Sequence, residues 1–497
     1  MKTDPSMPST APSIALSTMP GTRPAAKPRI GLLFSYDWDT LGFGHLAPRF
    51  DFDQAGFDLF SFPSNARLVG FDLMRFATRQ AQHGKRHGWA GVVSHHEQFG
   101  ALAAALVAEQ LGLPGTPVNA ILACQHKLHA RRVMQQVCPE ANLRFADLDA
   151  HYGGEVPADI AYPVYVKPVK AAFSVLARRV DSRAELHRHT RFGRRELWVI
   201  RRLVEPFERV ARQRLPQAGT AHRMMLEEPV TAAQFNLDGW VYNGRAHALG
   251  VVDAVMYPGT QAFMRWEHPS RLGADVQARA LDVAQRFLAA VGFSHGLFNI
   301  EFFHDPVTGR LSVIEVNPRL ASQFSDLYQR VHGIDPHAMS LALALGDDPA
   351  QLPRSAPVGG AAASLVYRAF STERAPAMPG AAQRAALARQ FPDALLFTYP
   401  KSGHALARDF KWLGSHRYGI LHLHGRDDAH LRQRVEAASA LIGWTPPYAD
   451  CLGNAYGTGT PATRLTSPTT PSPTTPGTAA TTAKSTTVHQ LIPGTSP

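Results

Sequence analysis

The sequence predicts a mixed α/β and α+β chain, with a small parallel-sheet domain at its N-terminus and strand-rich α+β structure after it. Three observations lead there. Over roughly the first hundred residues, short apolar runs alternate with helical patterns, which implies a parallel sheet covered by helices. Further along, Asn299-Ile300-Glu301-Phe302-Phe303 and Ile314-Glu315-Val316-Asn317 read as adjacent strands joined by the turn Asp305-Pro306-Val307-Thr308-Gly309. Both ends of the chain lack apolar periodicity altogether.

Taken in order, residues 1–27 are rich in Pro, Ser, Thr and Ala and are expected to be disordered. They contain no continuous apolar stretch of the kind a secretory signal needs. Residues 28–119 form the first domain. Arg29-Ile30-Gly31-Leu32-Leu33-Phe34-Ser35 and Trp89-Ala90-Gly91-Val92-Val93-Ser94 are its buried strands. Gly100 to Leu111 is an Ala- and Leu-rich helix stopped by Gly112 and Pro114. Residues 120–345 are the central domain, in which Tyr162 to Pro168, Met224 to Val230 and Phe235 to Val241 read as strands. Residues 355–447 make an additional α+β segment with strands at Ala363 to Tyr367 and Tyr418 to Leu423. From Gly457 to Pro497, Thr, Pro, Ser and Ala dominate, and disorder is expected again.

At 497 residues the chain has room for about three domains. Its 45% hydrophobic and 18% charged residues are ordinary for a globular protein, and no apolar run is long enough to span a membrane. Cys124, Cys138 and Cys451 show neither metal spacing nor a disulfide framework, which points to a reducing, cytoplasmic setting. The net charge of +11 is partly local, because twelve arginines fall between Arg178 and Arg214. Glu185, Glu196, Glu205 and Glu208 are interleaved with them, and few aromatics are present to stack bases. The stretch therefore reads as a solvated helical insertion, with nucleic-acid binding and membrane association not expected.

Glu315 lies fourteen residues after Glu301, with Asn317 two further on. Period-two alternation puts Glu315 and Asn317 on one face, and antiparallel pairing brings Glu301 to it. Two carboxylates and an amide oxygen at one spot make a hard-oxygen site suited to Mg²⁺, with phosphates or water completing the shell. Arg319 follows, ready to meet an anion.

The segment Gly296-Leu297-Phe298-Asn299-Ile300-Glu301-Phe302, a gap, then Glu315-Val316-Asn317-Pro318-Arg319 closely resembles the metal-binding end of the ATP-grasp superfamily. The resemblance implies a two-lobed ATP-grasp domain over residues 120–345 and a further segment weakly similar to the closing domain of biotin-carboxylase-like members. It implies Glu301, Glu315 and Asn317 as ligands of Mg²⁺ (or Mn²⁺) on ATP, and Arg319 in contact with the transferred phosphate or the acceptor. Lys127 and Lys167 would reach the phosphates. Glu227, Glu228, Pro229 and Val230 resemble the hinge that reads the adenine edge, and Gln234 falls where the family often grips the ribose.

The loop Lys170-Ala171-Ala172-Phe173-Ser174-Val175 stands where a glycine-rich phosphate loop is usual. Without glycine it should be stiffer, and Ser174 is its phosphate donor. Arg265, in a Pro- and Gly-bearing loop, would line the acceptor pocket. His268 and His295 are candidates for acid–base work. Ser94-His95-His96-Glu97 sits at the C-terminal edge of a predicted parallel strand, where ligands bind; Glu97 could touch an amine, or His-His-Glu could hold a metal.

The implied activity is ATP-dependent joining of a small-molecule carboxylate to an amine through an acyl phosphate, releasing ADP and phosphate. The alternatives are a biotin-carboxylase-like enzyme that activates bicarbonate and a non-catalytic ATP-binding regulatory protein. Homo-oligomerisation is compatible with each.

Overall fold

The computed structural model describes residues 26–59, 64–151, 156–171, 176–371 and 376–452. The ends expected to be disordered, residues 1–27 and 457–497, lie outside these apart from residues 26 and 27, and so does Ser174.

Strands β1 (Arg29–Leu33), β2 (Asp51–Ala55) and β3 (Trp89–Val93) form a parallel sheet in the order β2-β1-β3, as the alternating pattern predicts. Helices α1 (Asp37–Gly44) and α2 (Leu73–His87) connect them. Helix α3 (Gly100–Leu111) follows and is buried along its length from Gly100 to Ala108, which its small side chains allow. It ends at Gly112, whose left-handed backbone (φ 65°) suits a residue without a Cβ.

Helices α4 (Val118–Gln125) and α5 (Lys127–Val137) lead into a four-stranded antiparallel sheet. It contains β4 (Phe145–His151), β5 (Val164–Pro168), β6 (Arg178–Val180) and β7 (Arg223–Glu227) in the order β4-β7-β5-β6. Helices α6 (Arg183–Thr190) and α7 (Arg194–Arg214) are inserted between β6 and β7.

In α7, Val204, Phe207, Val210 and Ala211 are buried, while Arg209 and Arg212 pair with Glu205 and Glu208 one turn earlier at 2.9 and 3.3 Å. Arg209 also reaches Asp72 at 3.1 Å, and Arg214 meets Glu109. The arginine-rich stretch thus spans β6, α6 and α7, and α7 is an amphipathic helix docked on the first domain, where Arg209, Arg212 and Arg214 are answered by nearby acids.

The remaining strands make one eight-stranded antiparallel sheet in the order β12-β11-β8-β9-β10-β13-β15-β14. They are β8 (Ala233–Tyr242), β9 (Arg245–Met256), β10 (Phe263–His268), β11 (Gly296–His304), β12 (Leu311–Asn317), β13 (Ala361–Ala369), β14 (Leu395–Thr398) and β15 (His416–Gly425). The C-terminal strands β13 to β15 therefore continue the central sheet past β10. Helix α8 (Ala274–Ala290) packs Val283, Ala284 and Phe287 into one core with Phe298, Ile300 and Val316. Helices α9 (Ser325–His332) and α10 (Pro336–Leu345) follow β12, and α10 shares a core with the first domain through Leu341, Ala344, Ile30, Leu32 and Val93. Among the described residues no helix is long and apolar enough to cross a membrane.

Gly239 in β8 allows a close packing in this sheet to be made. A Cβ there would lie 2.3 Å from the His247 carbonyl oxygen and 2.4 Å from the Phe298 ring. Gly239→Ala is expected to destabilise the chain by about 1–3 kcal/mol, because backbone and ring must both give way. Urea unfolding followed by tryptophan fluorescence checks this, and an unchanged midpoint would contradict it.

Candidate active site between the two antiparallel sheets

Strands β11 and β12 pair with Glu301 directly opposite Glu315 and Asn299 opposite Asn317, so both carboxylates stand on one face. The ladder bulges just beyond Glu301. Gln234 Nε2, from β8, donates to Glu301 Oε2 at 3.0 Å. Asn317 Nδ2 donates to Asn299 Oδ1 at 3.2 Å and to Glu301 Oε1 at 3.4 Å, which leaves the Asn317 amide oxygen for a ligand.

The orientation of that amide is fixed from behind. Asn299 Nδ2 donates to Asp238 Oδ1 at 3.1 Å, and the Tyr328 hydroxyl donates to Asp238 Oδ2 at 2.7 Å. Burial pushes the Asp238 carboxyl up to about 6, against the two donors that favour its charge. Burial and the Asp238 charge push the Tyr328 phenol well up, so it stays a donor.

Charge around the pair is asymmetric. Burial, reinforced by Glu315 and Glu97, pushes Glu301 up. Burial would also raise Glu315, but Lys127 and Lys167 hold it below the usual carboxylate range. Lys127, the first residue of α5, places Nζ 3.0 Å from Glu315 and donates to the Ala171 carbonyl at 2.8 Å. Two buried carboxylates facing each other repel unless a proton or a cation lies between them. Their oxygens, together with the oxygen of Asn317, fit Mg²⁺ or Mn²⁺ in kind.

Lys167 stands on β5, 4% exposed, with Nζ 2.9 Å from Glu227 Oε2 and donating to the Ile314 carbonyl at 3.2 Å. Glu227, at the end of β7, receives Arg131 Nε on its other oxygen at 2.7 Å. Both Glu227 oxygens are therefore held by buried cations, which locks β7 to α5 and β12. Glu228 receives Arg144 and Arg310, and Pro229 and Val230 are half-buried in the connection from β7 to β8.

Two expectations shift. Gln234, expected at the ribose, sits instead on Glu301, because it belongs to the strand next to β11. Arg265 lies on β10, with β8 and β9 between it and β11. There it binds Glu267 and the Pro447 carbonyl at 2.6 and 3.2 Å and stacks on the Tyr448 ring at 4.5 Å. Its described contacts are thus with β10 and the C-terminal segment. His268 Nδ1 and His295 Nε2 lie 2.9 and 2.7 Å from the Val251 and Leu343 carbonyls, and His268 Nε2 is buried without a hydrogen-bond partner among the described residues.

The His-His-Glu set does not assemble. His95 lies between Asp39 and Ser340, 2.7 Å from each; His96 stacks on Tyr36; Glu97 accepts from Arg319 at 2.8 Å.

Two further residues belong here. Arg131 lies one turn after Lys127 on the same face of α5, a spacing the sequence displays. Its fork serves Glu227, Asn142 and the Val313 and Ile314 carbonyls of β12. Lys170 lines the same small cavity as Lys127, Glu315 and Asn317. Its Nζ donates to Gln125 Oε1 at 3.1 Å and lies over the Phe207 ring, and burial pushes it down to about 7.

No family model matches the chain. Among solved structures it resembles an L-amino acid ligase from Bacillus licheniformis, with a TM-score of 0.59 and 15% identity over 83% of this chain and 97% of that one. It also resembles a biotin carboxylase from Campylobacter jejuni in complex with a β,γ-ATP ligand, with a TM-score of 0.53 and 14% identity over 83% and 91%. A third is the N5-carboxyaminoimidazole ribonucleotide synthetase of Thermus thermophilus, with a TM-score of 0.53 and 18% identity over 84% and 99%. At these identities the likeness is one of fold.

In sequence, the chain is 28% identical over 266 residues to carnosine synthase 1 of Gallus gallus, covering 51% of this chain and 27% of that one. It is 27% identical over 286 residues to an uncharacterized protein, y4rH, of Sinorhizobium fredii, covering 57% and 54%. The chain thus spans between about a quarter and about half the length of the curated relatives it matches.

Proposed function

We propose that this chain, which has the ATP-grasp fold, is an ATP-dependent ligase that joins a carboxylate to an amine through an acyl phosphate. One observation carries the reading: Glu301 and Glu315 face each other across β11 and β12, with the free Asn317 oxygen beside them and the Lys127 ammonium at 3.0 Å. Such a set of groups would suit a metal and the phosphates of a nucleotide. The presence of an L-amino acid ligase among structures of this fold supports the reading.

Glu301, Glu315 and Asn317 would hold the metal, which would offset the negative charge of the triphosphate. Lys127 would exchange Glu315 for a phosphate oxygen, and Lys167, bound to Glu227, would fix the sheet edge beside it. The hinge from Glu227 to Val230 would face the adenine. A carboxylate oxygen of the acid substrate then displaces ADP from the γ-phosphorus. The amine attacks the acyl carbon and phosphate departs with the carbon–oxygen bonding pair.

The test is to supply ATP, Mg²⁺, an amine pool and an acid pool carrying oxygen-18 in its carboxylates. The expected products are ADP and inorganic phosphate bearing one labelled oxygen. AMP with pyrophosphate, or unlabelled phosphate alongside confirmed amide formation, would refute the mechanism.

A further inference from the structure

We propose that Asp39, His95 and His337 bind a divalent transition-metal ion, Zn²⁺ by the chemistry of the donors, where the first domain meets α10. The site is separate from Glu301, Glu315 and Asn317 and does not depend on the ligase reading.

The three residues come from separate elements. Asp39 lies in the first turn of α1, His95 in the loop after β3, and His337 at the second position of α10. All are buried, at 1%, 4% and 4% exposure. Asp39 Oδ1 is 2.7 Å from His95 Nδ1 and 3.3 Å from His337 Nε2, and one ligand atom from each residue lies within 4.8 Å of the other two. Zinc bonds of about 2.0–2.2 Å set tetrahedral ligand atoms roughly 3.3 Å apart. The His337 contact already has that spacing, and the His95 contact would open by about 0.6 Å.

Each ligand is held from behind. Asp39 Oδ2 accepts the Tyr36 main-chain N–H at 2.9 Å, which leaves Oδ1 to the histidines. The His337 main-chain N–H donates to Asp335 Oδ1 at 3.0 Å, and its ring lies against Gly42, where a Cβ would collide with it. Phe43 stacks on His95 and meets His337 edge-on, with ring centroids 5.6 and 4.8 Å away. Support of this kind fixes the direction of a metal ligand.

The proton count favours a cation. Ser340 Oγ donates to the Pro336 carbonyl at 3.0 Å and lies 2.7 Å from His95 Nε2. A hydroxyl has one proton, and the carbonyl can only accept it. Ser340 then accepts from His95 Nε2–H, so the Nδ1 that faces Asp39 carries a lone pair. A lone pair against a carboxylate oxygen is repulsive, and a cation shared by the two removes the repulsion. A second proton on His95 would do the same for that pair alone. A metal ion also explains why His337 aims a second imidazole at the same oxygen. Two imidazoles and a carboxylate suit Zn²⁺, whereas Mg²⁺ takes oxygen ligands; a water molecule would complete the four-coordinate shell. The ion would tie α1 and the loop after β3 to α10, which already shares a core with the first domain.

The full chain, stripped with a chelator, is titrated calorimetrically with Zn²⁺ in saturating Mg²⁺. One Zn²⁺ per chain should bind with a Kd of about 10⁻⁷ M or tighter. His337→Gln keeps a hydrogen-bond donor for Asp39 but no imidazole, and should weaken this binding about 100-fold or more. Glu315→Gln should leave it unchanged, because the oxygen site is elsewhere. Loading the native chain with Co²⁺ should give the intense visible absorption of a four-coordinate ion.

No tight Zn²⁺ binding by the native chain would overturn the proposal and leave a proton as what joins His95 to Asp39. Full affinity in His337→Gln, or loss of the ion in Glu315→Gln, would overturn it by placing the zinc on surface histidines or on the oxygen site. So would a Co²⁺ spectrum of the weak, six-coordinate kind. The zinc and cobalt readings on the native chain hold even if a variant misfolds.

Discussion

Glu315→Gln should reduce ATP-dependent turnover by at least about 10²-fold, the scale expected when one preorganised electrostatic group is lost. Glu315 faces Glu301 across the ladder and touches Lys127 at 3.0 Å, so on the proposed reading it would serve both the metal and the phosphate side of the site. The fold should survive. The variant loses one buried ion pair, but it also removes the carboxylate that repels Glu301. Lys127 keeps the Ala171 carbonyl at 2.8 Å, and the amide keeps the shape of the side chain. The measurement is ADP release under saturating ATP and Mg²⁺, with a thermal melt as the check on folding. A well-folded variant producing ADP at a near-native rate would remove Glu315 from the machinery.

The strand pair that carries the carboxylates was legible because strand periodicity is local. Alternation puts Glu315 and Asn317 on one face and the turn pairs the two strands, but the register that starts from His304 opposite Leu311 would set Glu301 opposite Ile314; the bulge just beyond Glu301 moves it to Glu315, and no local pattern encodes that bulge. The parallel sheet of the first domain was readable from local periodicity as well.

Gln234 and Arg265 were harder, because their surroundings depend on which distant strands pair. Gln234 meets Glu301 only because β8 lies beside β11, and Arg265 is drawn to Tyr448 by a segment more than 180 residues away. The joining of β13 to β10 is likewise a long-range pairing that no local pattern encodes. Arg131 was half visible. Its spacing from Lys127 puts both on one helix face, but an arginine at that spacing is usually a solvated surface residue, and only the tertiary packing buries it.

Arg131→Met should destabilise the chain by about 3–5 kcal/mol, the scale for breaking a buried ion pair by removing one partner. Arg131 is 3% exposed and bonds in four directions. Nε meets Glu227 at 2.7 Å; one terminal nitrogen meets the Val313 carbonyl at 2.7 Å and Asn142 at 3.2 Å; the other meets the Ile314 carbonyl at 2.8 Å. Methionine fills much of the space but supplies none of these donors. Glu227 would keep only Lys167, at 2.9 Å, and two β12 carbonyls would lose a donor.

Arg131→Lys should recover little, because a single ammonium cannot serve a carboxylate and two carbonyls set out for a planar fork. The contrast is Arg132, whose side chain is 44% exposed and lies 3.7 Å from Asp147. Arg132→Met should cost no more than about 1 kcal/mol. The same two variants separate stability from function. Arg131 ties β7, the proposed hinge strand, to the strand that carries Glu315, so its loss should also weaken ATP binding, whereas Arg132→Met should leave it intact. Urea unfolding and nucleotide titration of the variants provide the comparison. If Arg131→Met unfolds within about 1 kcal/mol of the native chain, the fork does not hold the two sheets in register.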